Sequence, residues 1–112
     1  MSRSDPVENP WAGEVSLRID GRDLRLKLTL GALAELEQAL EVGSLVELVE
    51  RFENGRFATA DVLALLRAGL RGGGHDLPAD FLEQADIEGG PVLAARKAAE
   101  LLVRAFSLPG EA

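Results

Sequence analysis

The chain contains no cysteine and no tyrosine. Without thiols there is no disulfide, no thiolate nucleophile and no Cys-ligated metal. Aromatic rings are scarce: Trp11, Phe52, Phe57, Phe81 and Phe106 are all of them. Such a core has to be filled by leucine and alanine, which favours helices. Positive charge is short as well, with 12 Lys and Arg against 19 Asp and Glu and a net charge of -7. Phosphate contacts need clustered Lys and Arg, so nucleic acid is not an expected partner. No apolar run approaches the ~20 residues that span a bilayer. The start, Met-Ser-Arg-Ser-Asp-Pro, lacks the apolar middle of a signal peptide. The expectation is a cytoplasmic protein with no membrane partner.

What remains is ordinary globular material: 46% hydrophobic and 28% charged over 112 residues, enough for one domain and one core. Its strongest feature is a change of period near Thr29. Val15, Leu17, Ile19, Leu24, Leu26 and Leu28 fall on every second position. Leu30, Leu33, Leu36 and Leu40 fall three and four apart. The first pattern is a half-buried strand pair and the second an amphipathic helix. Asp20-Gly21 suits a two-residue type I′ turn. That turn places Leu17 opposite Leu24 and Val15 opposite Leu26, with Ser16, Arg18, Asp23, Arg25 and Lys27 on the other face. Two strands are barely stable alone, so the apolar face must rest on helices or join another chain.

The helices are marked by their ends. Thr29 is the expected N-cap of a helix over about 30–42, with Gly43 its stop. Ser44 and Glu47 form a capping box opening a second helix that Asn54-Gly55 ends. Thr59 is the expected N-cap of a leucine-rich helix over about 60–71, which Gly72-Gly73-Gly74 terminates as a flexible link. A short helix near 78–85 follows, and Gly89-Gly90-Pro91 restarts the chain into a helix over about 91–106. On this last helix Val92, Ala95, Leu102 and Phe106 form one stripe. The fold class is therefore α+β: an N-terminal two-stranded antiparallel hairpin and a bundle of four to five short helices. Residues 1–13 are read as a loose leader, 14–106 as the single domain and 107–112 as a tail.

Catalytic equipment is thin. His75 is the lone histidine and sits beside Asp76, yet no serine or threonine accompanies it in a recognised catalytic motif. The glycines at 72–74 follow a helix and are not succeeded by Lys-Ser/Thr, so they are no phosphate loop. The carboxylates lack EF-hand spacing. No catalytic residue, cofactor or metal is expected. Charge falls in blocks instead. Between 30 and 53, Glu35, Glu37, Glu41, Glu47, Glu50 and Glu53 stand against Arg51; between 75 and 90 there are five acids and no Lys or Arg. Solvated helix faces account for most of this. Its functional reading is an acidic flank that steers a basic or amphipathic partner.

Several short stretches, taken in order, resemble a known family. They are Gly13-Glu14-Val15; Thr29-Leu30-Gly31-Ala32-Leu33-Ala34-Glu35-Leu36-Glu37; Arg51-Phe52-Glu53-Asn54-Gly55-Arg56-Phe57; and Leu70-Arg71-Gly72-Gly73-Gly74-His75. The series is similar to the small gene-transfer-agent proteins of alphaproteobacteria, encoded in the tail module of phage-like particles and related prophages. That family is similar to phage tail assembly chaperones and has also carried the label of a tail tube protein. The resemblance implies a non-enzymatic helper that binds the tape measure protein and assists polymerisation of the tail tube protein. The alternative is a structural tail component retained in the particle. Only about 15 residues look β-like, and tube subunits usually use larger sheets, which favours the helper. Self-association through the open hairpin edge is a further expectation. Candidate partner-binding residues are Trp11, Phe52, Phe57, Glu35, Glu37, Glu41, Leu66 and Leu70.

Overall fold

The computed structural model describes residues 13–39, 45–78 and 80–106. Trp11, Leu40, Glu41, Gly43 and Ser44 lie outside them, as do nearly all of the leader and the whole tail. Strands β1 (Glu14–Ile19) and β2 (Arg22–Lys27) form one antiparallel pair. Leu17 faces Leu24 and Val15 faces Leu26, the register that the alternation demands. Asp20 (φ 53°) and Gly21 (φ 78°) are both left-handed, as a type I′ turn requires. Val15, Leu17, Ile19, Leu24 and Leu26 are all buried on one face of the hairpin.

Among the described residues five helices follow: α1 (Leu30–Ala39), α2 (Leu45–Glu53), α3 (Thr59–Gly72), α4 (Phe81–Gln84) and α5 (Gly90–Phe106). The fold is α+β, with α3 and α5 packed on the hairpin and α1 on α3. The Thr29 hydroxyl caps α1 by accepting from the Ala32 N–H at 3.1 Å. The side that α1 buries is set by Ala32 and Leu36. Leu30 lies well round the helix from them and is 85% exposed. At α3 the expected cap is displaced by one residue. Thr59 is already helical, and Ala58 is the N-cap. Alanine has no side-chain acceptor, so only half of a capping box forms: Asp61 Oδ2 accepts from the Ala58 N–H at 2.8 Å.

The glycines at 72–74 do more than end a helix. Gly74 (φ 95°) closes a Schellman turn, with His75 N–H donating to Leu70 O at 2.9 Å and Gly74 N–H to Arg71 O at 3.0 Å. Gly72 and Gly73 let the end of α3 touch the edge of β2. A Cβ on Gly72 would lie 1.8 Å from Lys27 O, and one on Gly73 would lie 2.0 Å from Arg25 O. His75 Nε2 donates to that same Arg25 carbonyl at 3.1 Å. The stretch is a fitted joint, not a free link.

The other edge of the hairpin is covered too. Ile87 pairs with Ile19 as an isolated antiparallel bridge. Asp20 N–H donates to Asp86 O at 2.8 Å and Glu88 N–H to Arg18 O at 3.0 Å. The Arg104 guanidinium donates to Glu14 O. Joining of copies by strand addition was expected to use an open edge. The structure instead occupies outward backbone groups on both strands.

The joint at the end of α3 is testable by denaturant unfolding. Gly73→Ala should lower stability by about 2–4 kcal/mol, because backbone must move to admit the methyl group. Gly31→Ala, at an exposed helical position with open space, should raise it by up to about 1 kcal/mol.

Candidate functional site

The site is built where α2 meets the start of α3 and the length of α5. Arg51 and Asp61 clamp it. Arg51 Nε donates to Asp61 Oδ2 at 3.1 Å and Nη2 to Oδ1 at 3.1 Å, a bidentate pair. Asp61 is the buried charged side chain among the described residues. Burial pushes its carboxyl up, but the Arg51 hydrogen bond, the Ala58 N–H and the Arg51 charge outweigh this and hold it below the ordinary value of 3.8. The clamp fixes the turn at 54–58, which is a second Schellman closure: Arg56 N–H donates to Arg51 O at 2.8 Å with Gly55 at φ 70°. Phe52 and Phe57 then stack across this turn, ring centres 4.5 Å apart and planes 8° from parallel.

Neither phenylalanine is fully buried; both are packed on the edge of the core. Each lines an apolar groove. The larger, about 440 Å³, lies between Phe57, Leu63 of α3, Ile87 and Pro91, Ala94 and Ala95 of α5. The second, about 380 Å³, is bounded by Val49, Phe52 and Glu53 of α2 and by Ala99, Val103 and Phe106 of α5. The two therefore follow one another along α5, separated by the stacked rings.

The last helix buries a different stripe from the expected one. Ala94, Ala98, Leu101 and Leu102 face the core. Val92 is 72% exposed and Phe106 49% exposed, with Val103 65% exposed. Alanine is small enough for α5 to press close to the hairpin, so the alanine-rich side goes inward. The bulkier stripe is left outward.

The other candidates are scattered. Leu66 and Leu70 are buried in the core, and Leu66 also borders the larger groove. Leu63 on the same helix is only partly buried and lines the larger groove. Glu35 is paired with Arg71 at 2.9 Å, and Glu37 is exposed on α1. Trp11 and Glu41 lie outside the described residues. Sequence reasoning missed the Arg51–Asp61 clamp. Its signal was present: Asp61 occupies the first turn of a helix, where a carboxylate can reach back to the N-cap. It also missed the pairing of 86–88 with β1, which no short-range pattern announces.

Among the described residues no three His, Asp or Glu side chains gather as a metal site needs. No helix of the described residues is long and apolar enough to cross a membrane.

The clamp gives a pH prediction. A carboxyl held below 3.8 adds stability that is present above that value and is lost as pH falls through the lower folded-state value. Asp61→Asn should cost about 1–2 kcal/mol at pH 7 and at pH 5. The difference from the parent chain should shrink below about pH 4, measured by urea titration at each pH.

Residues 12–108 match the family model described as phage tail tube protein, GTA-gp10. No curated protein and no solved structure matches the chain. The matched span takes in the hairpin, all five helices and both grooves, and the chain belongs to this family of gene-transfer-agent tail proteins.

Proposed function

We propose that this chain is a non-enzymatic structural protein of a gene-transfer-agent tail, retained in the particle and working through contacts with other tail proteins. The observation that carries this reading is the family match over 12–108, whose description is that of a tail tube protein. The chemistry of the chain supports the non-enzymatic part. His75, the side chain that the sequence reading weighed for catalysis, binds a strand carbonyl, and Asp61 closes the α2–α3 clamp.

A second reading, the assembly chaperone that holds the tape measure protein, is favoured by one observation. Among the described residues the sheet has two strands, with outward backbone groups on both engaged. A tube wall joined strand to strand needs open edges. Large apolar side chains exposed on α2 and α5 suit a helical client.

Quantitative mass spectrometry of purified particles separates the two. The structural reading expects this chain in washed particles at a fixed ratio to the other tail proteins. Its absence from particles, together with co-purification with the tape measure protein from producing cells, would replace that reading with the chaperone.

A further inference from the structure

One line of α5 reads the same from either end. Val92, Ala95, Ala99, Val103 and Phe106 follow one another at spacings of three, four, four and three. Ala99 is the centre. Ala95 and Val103 stand four residues to either side of it, and Val92 and Phe106 seven. The three largest of these side chains are the exposed apolar ones of the helix. Such a line can pack on an identical helix running the other way, about a twofold axis at Ala99. Ala95 then meets Val103 of the second copy, and Val92 meets Phe106 of the second copy. A small side chain faces a larger one at each level. The two Ala99 methyl groups meet at the centre, where they let the helix axes approach to about 8 Å.

The charges around this line suit the same pairing. Each copy carries a net charge of -7, so two copies repel wherever acids meet acids. Here the signs are balanced. Glu53 and Asp86 border the grooves, Arg56 stands in the 54–58 turn and Arg96 on α5. None of the four has an ion pair among the described residues. Arg96 and Glu100 lie one turn apart on the same flank of the line. The twofold sets each Arg96 about 3 Å, measured along the helix axis, from Glu100 of the second copy. Within its own chain Glu100 reaches Lys97 and Arg104 at 3.9 Å each, which leaves room for a closer partner.

We propose that α5 is a self-association face, on which two copies pair antiparallel along Val92, Ala95, Ala99, Val103 and Phe106 with Arg96 and Glu100 crossing between them. The seventeen residues of α5 give this seam a length of about 25 Å. One helix pair of that length buries less than the roughly 1,200 Å² of a standard interface, so the dimer is a weak one. The pairing is open to the chain whether or not it stays in the particle.

Sedimentation equilibrium of the purified full chain tests this. The expected result is a monomer–dimer equilibrium with a dissociation constant of about 50 µM. Val92→Lys, at an exposed position, should weaken it about tenfold and leave the circular dichroism spectrum unchanged. Arg96→Glu and Glu100→Arg should each weaken it severalfold, and the two together should restore it. The register has its own test, because the chain has no cysteine. Ala99→Cys puts a single thiol at the twofold, and mild oxidation should link it to its counterpart. Leu30→Cys, exposed on α1, should not link. A chain still monomeric at about 500 µM would overturn the proposal, as would an association that Val92→Lys leaves unchanged. Equal cross-linking at Leu30→Cys, or larger assemblies with no dimer, would overturn it as well.

Discussion

The closest approach in this protein is that of α3 to β2, and the rest of the architecture is arranged around it. Lys27 and Arg25 turn carbonyl oxygens outward from the hairpin, and they lie where side-chain carbons of Gly72 and Gly73 would be. A helix bearing any side chain there would stand further off. Gly69, one turn earlier, faces Leu26 and Leu101 in the same way and brings α5 into the contact. Leu65, Leu66 and Leu70 then close over the apolar face of the strands with no exposure to speak of. A hairpin that would be marginal alone becomes one wall of a core.

That arrangement decides what kind of surface is left. The β2 edge is taken by the end of α3 and by His75, and the β1 edge by Ile87 and Arg104. With the strand edges engaged, the large apolar side chains still open to solvent among the described residues are on helices: Leu30 on α1, Val46 on α2, and Val92, Val103 and Phe106 on α5. The reason lies in α5 itself, whose apolar arc is too wide for one contact. Alanines fit against the hairpin, and Val92, Val103 and Phe106 on the adjoining side are left largely exposed. The Arg51–Asp61 clamp keeps α2 beside that side, and a groove results where a loose helix would leave a flat edge.

Much of the fold was legible because its determinants are local. The alternation from Val15 to Leu28 and the Asp20-Gly21 turn state the register twice, independently. Thr29 caps α1 through an oxygen three residues from its donor. Gly55 and Gly74 stop helices by a backbone conformation that a side chain makes costly. The candidate site was less legible. Phe52 and Phe57 stand on either side of the Asn54-Gly55 helix stop in the sequence, but their stacking depends on a clamp that joins residues ten apart. Leu66 and Leu70 carry the same apolar signal as Leu63, and only the position of the hairpin over α3 separates buried from accessible.

The sequence by itself determined the class of fold, the strand register and several of the helix ends, since each rests on a pattern within a few residues. It also determined the family, through an ordered series of short stretches. Tertiary structure alone decided which side of α5 faces inward, what Gly72 and Gly73 are for, and that both strands of the hairpin have outward groups engaged. Those outcomes follow from steric fit between segments more than forty residues apart, and a fit of that kind has no signature in local spacing.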